Sequence, residues 1–346
     1  MKDLKYLVAY TIPIVAIIGL FLRGFGSYVT PLVAFGLIPV LEILLPVQTE
    51  NLSEEEVLSK SKSRFFNILL YLNLPLVFGI VAWFLWSLGW TNYSTTELVG
   101  YIFSIGIVVG SNGINVAHEL GHRKLAWERT LGKILLLPSL YMHFYIEHNY
   151  GHHLHAATKE DPASARYNQS VYSFWFTSIL RQYVSAWKIQ KDLLKRHEAS
   201  FISLQNDMLW YSLIQMGYLG LIFVFFGITG LWVAMVIGFT GALLLETINY
   251  IEHYGLSRNK TKSGRYERVT EIHSWNSNHI LGRVMLYELT RHSDHHYKSH
   301  KKYQLLDYHD VSPQMPFGYP TSMVLSLIPP LWFAIMNKRI PAEMKS

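Results

Sequence analysis

Long apolar runs constrain this chain more than any other feature of its sequence. Four of them, 65–90, 98–117, 208–228 and 231–245, contain no Lys, Arg, Asp or Glu. An α-helix, rising about 1.5 Å per residue, needs about 20 such residues to cross a bilayer. Half of the 346 residues are hydrophobic and only 16% are charged, which is more apolar than one soluble core requires. The sequence therefore predicts an all-α integral membrane protein, a single domain over 1–346, with six transmembrane helices at 6–22, 27–46, 66–90, 98–117, 208–228 and 231–251.

The distribution of basic residues predicts which side of the membrane each connecting segment faces. The first apolar run is long and has no small-residue cleavage pattern after it, so we interpret it as the first span and not as a signal peptide. If the N-terminus lies in the cytoplasm, the outer turns contain only one of the 30 Lys and Arg residues, Arg23. The positive-inside rule then favours cytoplasmic segments at 118–207 and 252–346. This topology accounts for the net charge of +6, so the charge is no argument for a nucleic-acid partner.

Histidines form four clusters in these cytoplasmic segments or at their edges. "HELGH" places two histidines at i and i+4, where both face one side of a helix. "HNYGHH" and "HSDHH" each end in an adjacent pair, whose side chains diverge by about 100° on a helix and can serve two metals or two sides of one site. "NYIEHYG" adds one histidine at the end of the sixth span. The nine clustered imidazoles belong to His118, His122, His148, His152, His153, His253, His292, His295 and His296.

The number and type of these ligands indicate the metal. A catalytic zinc takes three protein ligands and a water, so nine nitrogens would overfill one or even two such sites. Imidazole suits Fe(II), and the chain has no cysteine for an iron–sulfur cluster or a thiolate haem. The sequence therefore predicts a histidine-ligated di-iron site with a position open for O2.

The ordered set "HELGH", "EHNYGHH", "NYIEHYG" and "RHSDHH" resembles the membrane alkane 1-monooxygenases. These alkane hydroxylases belong to the larger fatty acid desaturase and hydroxylase class of membrane di-iron enzymes. The stretches "NYIEHYGL" and "HSWNSNHILGR" resemble the alkane hydroxylase branch in particular. Arg123 stands where lysine is usual, which keeps the charge. The first 60 residues resemble the family only in their span pattern, so the preferred alkane length is not specified.

The resemblance implies that all nine clustered histidines bind iron. Carboxylates beside such ligands can accept the second ring proton of an imidazole and fix its orientation. We expect this role of Glu119, Glu147, Glu252 and Asp294. His143 and His155, on either side of "HNYGHH", are further candidates for supporting the site.

The resemblance also implies the reaction, which is O2-dependent terminal hydroxylation of medium- and long-chain n-alkanes to 1-alkanols. The electrons must come from another protein, because the chain has neither a Gly-rich dinucleotide motif nor cysteine. The family implies rubredoxin, reduced by rubredoxin reductase, at the cytoplasmic side of a bacterial inner membrane. Small acidic carriers would be attracted to a basic face formed by Arg123, Lys124, Arg129 and 298–302.

Other functions fit part of the pattern. A related membrane di-iron hydroxylase or desaturase acting on fatty acyl or aryl-methyl groups would share the clusters and differ in its product. A membrane zinc protease would need only "HELGH", with Glu119 as the general base. A metal transporter would need polar residues inside the spans, where Glu42 and Glu246 are the main ones.

Overall fold

Helices form the regular structure of this protein. The computed structural model describes residues 2–345, and within that range there is no β-strand, only isolated bridges such as that of Val47 with His279. The all-α prediction is therefore confirmed. The main helices are α1 (Lys2–Leu22), α2 (Gly24–Leu44), α3 (Glu54–Lys62), α4 (Phe65–Ser87), α5 (Thr95–Gly121), α6 (Ala126–Leu135), α7 (144–155), α8 (Val171–Arg196), α9 (Asp207–His253), α10 (Ile280–Met285), α11 (His292–Tyr297), α12 (Tyr319–Ser326) and α13 (Pro329–Met336).

Five of these helices, α1, α2, α4, α5 and α9, are long and apolar enough to cross a membrane. They expose many large apolar side chains, including Phe25 at 91% and Val224 at 73% of their surface. Such an apolar surface requires contact with lipid or another apolar partner. These helices identify the chain as a multi-pass membrane protein.

Helix α9 occupies the region where the sequence predicts the separate spans 208–228 and 231–251. Its 47 residues are interrupted at Gly227, which has a φ of 63° and a ψ of −167°. Glycine adopts this backbone conformation without the clash that a Cβ would cause. The apolar run is thus one element with a break, at the place where the sequence predicts a turn.

Two contacts between α9 and the segment 138–142 show that the helix bends at this break. The side-chain oxygen of Gln215 accepts a hydrogen bond from the backbone N–H of Met142 at 3.1 Å. A Cβ on Gly238 would lie 2.8 Å from the carbonyl oxygen of Pro138. In a straight helix, positions 215 and 238 would be about 34 Å apart, whereas residues 138 and 142 are at most about 15 Å apart. The bend fits the two spans predicted within α9, and the total of six spans stays a prediction.

The chain forms two compact units, each assembled from three separate stretches. Unit 1 comprises Met1–Leu37, Arg64–Ile146 and Ala186–Leu245, and unit 2 comprises Ile38–Ser63, Glu147–Ser185 and Glu246–Ser346. Neither unit is a continuous piece of the sequence. The single-domain organisation over 1–346 stays a prediction.

In unit 1, close packing of small residues positions α5, which ends in "HELGH". A Cβ on Gly110 would lie 2.6 Å from the Leu244 side chain, so a larger residue would force Leu244 to move at this approach of α5 to α9. Asn112 on α5 donates its side-chain amide to the Asn73 side chain of α4 at 2.8 Å. The same amide donates to the Ala9 carbonyl of α1 at 3.2 Å. This polar contact between three apolar helices fixes the position of α5.

In unit 2, an arginine and a glutamate side chain form hydrogen bonds with backbone groups of the loops around the "RHSDHH" segment. Arg291 donates to the carbonyls of Leu306 at 2.6 Å and Glu50 at 3.0 Å. The buried carboxylate of Glu42 accepts the backbone N–H of Gly282 at 2.9 Å. Glu42, the one acid of the second predicted span, therefore has a structural partner. These bonds fix the loops that surround α11.

Candidate metal centre

In α7, the side chains of the adjacent residues His152 and His153 diverge. Its backbone is a π-helix over Glu147–His152, a wider turn that is common at functional sites. The ring of His152 lies 4.7 Å from that of His253, whereas the ring of His153 lies 5.0 Å from that of His295. The ring of His153 also lies 4.6 Å from that of His296. The ligand nitrogens of the adjacent pair nevertheless belong to two different converging sets, as the divergence of neighbouring helical side chains predicts.

Four of the predicted ligands converge within unit 2. The four-histidine group consists of His152, His253, His292 and His296, whose ligand nitrogens all lie within 4.8 Å of one another. All four side chains are buried. The Nε2 of His292 is 3.2 Å from that of His253 and 2.9 Å from that of His296. The buried Nε2 of His152 has no hydrogen-bond partner among the described residues, a deficit that a metal ion would satisfy.

The electrostatic environment of this group suits metal binding. Burial, together with the neighbouring imidazoles, holds the pKa of His296 well below its usual value of 6.5. His296 is therefore neutral at pH 7 and able to offer a lone pair. A set of imidazole nitrogen donors without thiolate suits iron, zinc or copper, so the residues present fit the predicted iron.

Three more predicted ligands form the three-histidine group of His148, His153 and His295, also in unit 2. Their ligand nitrogens lie within 4.8 Å of one another. The Nε2 atoms of His148 and His153 are 3.0 Å apart, a distance at which two imidazole nitrogens share a proton or a metal. Unit 2 alone thus contains two sets of converging imidazoles, and "HNYGHH" contributes to both.

The "HELGH" histidines lie in unit 1, at the end of α5. The rings of His118 and His122 are 5.1 Å apart, as the i and i+4 spacing predicts. Glu119, between them, forms a buried ion pair with Arg123 at 2.9 Å. A zinc protease would use this glutamate as a general base, a role for which a carboxylate neutralised by arginine is poorly suited.

Asp161 is a residue of this site that the sequence analysis missed. Its carboxylate lies 2.9 Å from Nδ1 of His152 and accepts hydrogen bonds from the Ser164 hydroxyl at 2.5 Å and the Ala163 N–H at 3.1 Å. Burial alone would raise the pKa of Asp161, but the charge and hydrogen bond of His152 hold it below its usual value. An ionised Asp161 accepts the Nδ1 proton of His152 and leaves Nε2 as the ligand atom.

The predicted supporting carboxylates differ in what they contact. A carboxylate oxygen of Glu252 lies 3.2 Å from Nε2 of His292, the nitrogen that faces the four-histidine group rather than the far side of the ring. Glu147 is fully buried, and burial raises its pKa well above the usual value. Asp294 binds Lys301 at 2.7 Å and His309 at 2.8 Å, neither of which is a predicted ligand.

His143 and His155 do not join either group. His143 lies in unit 1, where burial lowers its pKa to about 3 and its ring packs 4.2 Å from that of Tyr141. His155 is partly exposed, and its carbonyl accepts the backbone N–H of Thr158 at 3.0 Å. Both histidines have local structural roles.

The contacts of Asp294 predict a pH-dependent stability. Burial raises the pKa of this carboxyl, but its bonds with Lys301, the Asp307 N–H and His309 outweigh burial and lower it below 3.8. A lowered pKa stabilises the fold above about pH 4, and this contribution is lost as pH falls through the folded-state value. We expect Asp294→Asn to reduce the free energy of unfolding by about 2 kcal/mol at pH 7, since charge-assisted hydrogen bonds are lost.

Thermal unfolding in detergent, followed by tryptophan fluorescence between pH 3 and 7, measures this effect. The difference in melting temperature between wild type and Asp294→Asn should shrink as the pH falls. Asp192→Asn, at an exposed position of α8, is the matched control and should melt like wild type. Equal melting temperatures of Asp294→Asn and wild type at pH 7 would show that the Asp294 contacts do not stabilise the fold.

Comparison with known proteins gives consistent matches. Residues 94–324 match the fatty acid desaturase family. The chain is 39% identical to alkane 1-monooxygenase 2 of Pseudomonas aeruginosa over 322 residues, 90% of this chain and 83% of the relative. It is 39% identical to alkane 1-monooxygenase 2 of Alcanivorax borkumensis over 309 residues, 89% and 81% of the two chains. It is 28% identical to the xylene/toluene monooxygenase hydroxylase component of Pseudomonas putida over 350 residues, 98% and 89% of the two chains.

Proposed function

Because this chain belongs to the fatty acid desaturase family, and within it to the alkane 1-monooxygenases, we propose that it hydroxylates medium- and long-chain n-alkanes at the terminal carbon. The overall reaction consumes the alkane, O2, two electrons and two protons, and yields a 1-alkanol and water. The four-histidine group of unit 2 carries this proposal. It offers buried imidazole nitrogens as ligands in a chain whose apolar helices provide the lipid phase from which an alkane would come.

We propose that the nine clustered histidines bind two iron ions. The four-histidine group would hold one ion and the three-histidine group the other. The family pattern adds His118 and His122 to the ligands. The assignment of His118 and His122 rests on the family pattern and on their side-by-side rings on α5. When bound, the iron pair supplies the activation of O2 and the oxidation of a C–H bond.

The protein's own residues prepare this chemistry in three ways. Asp161 fixes the tautomer of His152, so that the ligand nitrogen faces the group. Burial of the four-histidine group keeps water away from the reacting atoms. Apolar residues around the site would then hold one methyl group in place, which accounts for terminal selectivity.

We propose that electrons come from rubredoxin on the cytoplasmic side of a bacterial inner membrane. The absence of cysteine supports an external donor, and the 30 Lys and Arg residues support the orientation. Reporter fusions to the C-terminus test the topology. A reporter active only in the periplasm would contradict it.

A second substrate class, aryl-methyl groups, is supported by the similarity to the xylene/toluene monooxygenase component. The lower identity of that relative, 28% against 39%, favours alkanes. Fatty acyl chains share the same methyl chemistry. The products formed from octane, toluene and a fatty acid in parallel reactions separate these substrates.

Conversion of octane in membranes that contain the chain, rubredoxin, rubredoxin reductase and NADH tests the proposal. We expect 1-octanol that carries one atom from labelled O2, and two irons per chain by elemental analysis. Active protein with one zinc and no iron would contradict the di-iron assignment. Hydroxylation of toluene without that of octane would favour the aryl-methyl alternative.

A further inference from the structure

Unit 2 contains a polar pocket of about 320 Å³ that the reaction as described does not use. Four cationic side chains line it, with a single carboxylate, that of Glu343. The cations are Lys159, Arg166, Arg258 and Lys260. Lys159, Arg166 and Lys260 are exposed, so their charges face solvent. We call this feature the basic pocket.

The other carboxylates near the basic pocket have partners of their own. Glu267 accepts the backbone N–H of Asn259 at 3.0 Å and contacts His273 at 3.4 Å. Glu160 is hydrogen-bonded to Tyr266, although it also lies within the electrostatic range of Lys260. With Glu160, Glu267 and Asp161 counted, carboxylates and cations around the pocket are equal at four each, but Asp161 is buried and bonded to His152 and Ser164. Among the lining side chains alone, cations outnumber carboxylates by four to one. Arg258 is buried and donates to the carbonyls of Glu267 and Leu154, so the exposed positive charge comes from Lys159, Arg166 and Lys260.

A hydrogen-bonded path leads from the basic pocket to the four-histidine group. Ser164, which lines the pocket, accepts the N–H of Ala157 at 2.8 Å and donates to the Asp161 carboxylate at 2.5 Å. Asp161 in turn binds Nδ1 of His152 at 2.9 Å. Two hydrogen bonds thus join a solvent-facing serine to a proposed iron ligand. Electrons cross such bonded paths faster than they cross open gaps.

The basic face predicted from the sequence is less suitable for docking, because its cations are used within the fold. Arg123 pairs with Glu119 at 2.9 Å, and Arg129 donates to the carbonyls of Arg123 and Lys124 at 3.0 and 2.6 Å. Lys301, in the predicted 298–302 stretch, binds the carboxylates of Asp294 and Asp307. The carboxylates paired with Arg123 and Lys301 offset the positive charge that this face offers to a partner.

We propose that the basic pocket docks an acidic protein electron donor, and that electrons enter along Ser164, Asp161 and His152. This inference rests on the proposed function, in which each turnover oxidises the donor by two electrons in total and reduces the metal centre by the same number. Opposite charges on the two surfaces would speed association and fix the orientation. The electrons come from a redox centre outside these 346 residues, which contain no redox-active cysteine and no dinucleotide motif.

The test measures binding of rubredoxin to the full-length protein in lipid nanodiscs, with and without iron. We expect the double substitution Lys159→Glu with Arg166→Glu to weaken binding at low salt by about tenfold or more, because charge reversal at a docking surface slows association and adds repulsion. High salt should reduce the difference, as screening requires. Metal-free protein should show the same loss, which makes the readout independent of turnover.

The matched control is Lys188→Glu with Lys191→Glu, the same change of charge at two exposed positions of α8 outside the pocket. It should bind rubredoxin within about twofold of wild type, since only distant charges change. Equal binding by the pocket variant and wild type would overturn the proposal. Displacement of rubredoxin by inorganic phosphate at constant ionic strength would also overturn it, by showing a site for small anions.

A reaction driven by dithionite separates this proposal from the proposed function. If octane yields 1-octanol with dithionite and O2 but the pocket variant binds rubredoxin normally, the docking site is wrong and the hydroxylase stands. If no reductant supports hydroxylation of any tested chain, the function itself fails. Loss of rubredoxin binding with retention of dithionite-driven hydroxylation is the result that supports docking at the basic pocket.

Discussion

Replacing His253 by alanine should remove iron and hydroxylation as fully as replacing His152. His253 is the histidine that stands apart from the other clusters in sequence, yet its Nε2 lies 3.2 Å from that of His292. Loss of a direct ligand changes both the affinity for the metal and its coordination sphere. The loss of activity should therefore exceed the roughly 10- to 100-fold effect of removing a residue that only supports a ligand. Iron content by elemental analysis and 1-octanol formation per folded molecule measure the two effects.

A histidine that only capped the end of α9 would behave differently. His253→Ala would then cost about 1 kcal/mol of stability and keep its activity per folded molecule. Full iron and full activity in this variant would reduce the proposed ligands to eight. His197→Ala, at an exposed position after α8, is the control and should retain both iron and activity.

The sequence predicted the helices and the grouping of histidines because both depend on local periodicity. Uncharged runs define α4 and α5, and the i, i+4 spacing of "HELGH" places two rings 5.1 Å apart. The divergence of adjacent helical side chains likewise predicted that His152 and His153 face different sets. A regular backbone converts these spacings directly into positions.

Contacts between residues of distant segments have no such periodic signal in the sequence, so they could not be predicted from it. Asp161 lies nine residues after His152, in a loop, and a lone acid at that spacing does not predict a bond to Nδ1. Asp294 stands beside the ligands in sequence, but the 298–309 loop brings Lys301 and His309 to it instead. Glu42 meets Gly282, 240 residues away, and the sequence does not predict the partner of such a buried acid. Tertiary structure decides these pairs.

Asp161→Asn tests whether the missed residue supports the metal centre. The amide keeps the volume of the side chain but removes the negative charge that binds the Nδ1 proton of His152. We expect metal affinity to fall by about 10- to 100-fold, the usual cost of losing an outer partner of a histidine ligand. Iron titration of the metal-free protein gives this affinity directly, and hydroxylation at limiting iron should fall in parallel.

The result of Asp161→Asn depends on the tautomer of His152. A neutral amide oxygen accepts the Nδ1 proton more weakly, and an amide N–H facing Nδ1 would shift the proton to Nε2, the atom that should bind iron. Raising the iron concentration should therefore restore occupancy before it restores the full rate. Glu267→Gln, which removes a carboxylate 3.4 Å from the non-ligand His273, is the control and should bind iron normally. Unchanged iron affinity in Asp161→Asn would mean that the fold alone orients His152, and that the path from Ser164 ends at a residue with no effect on the metal.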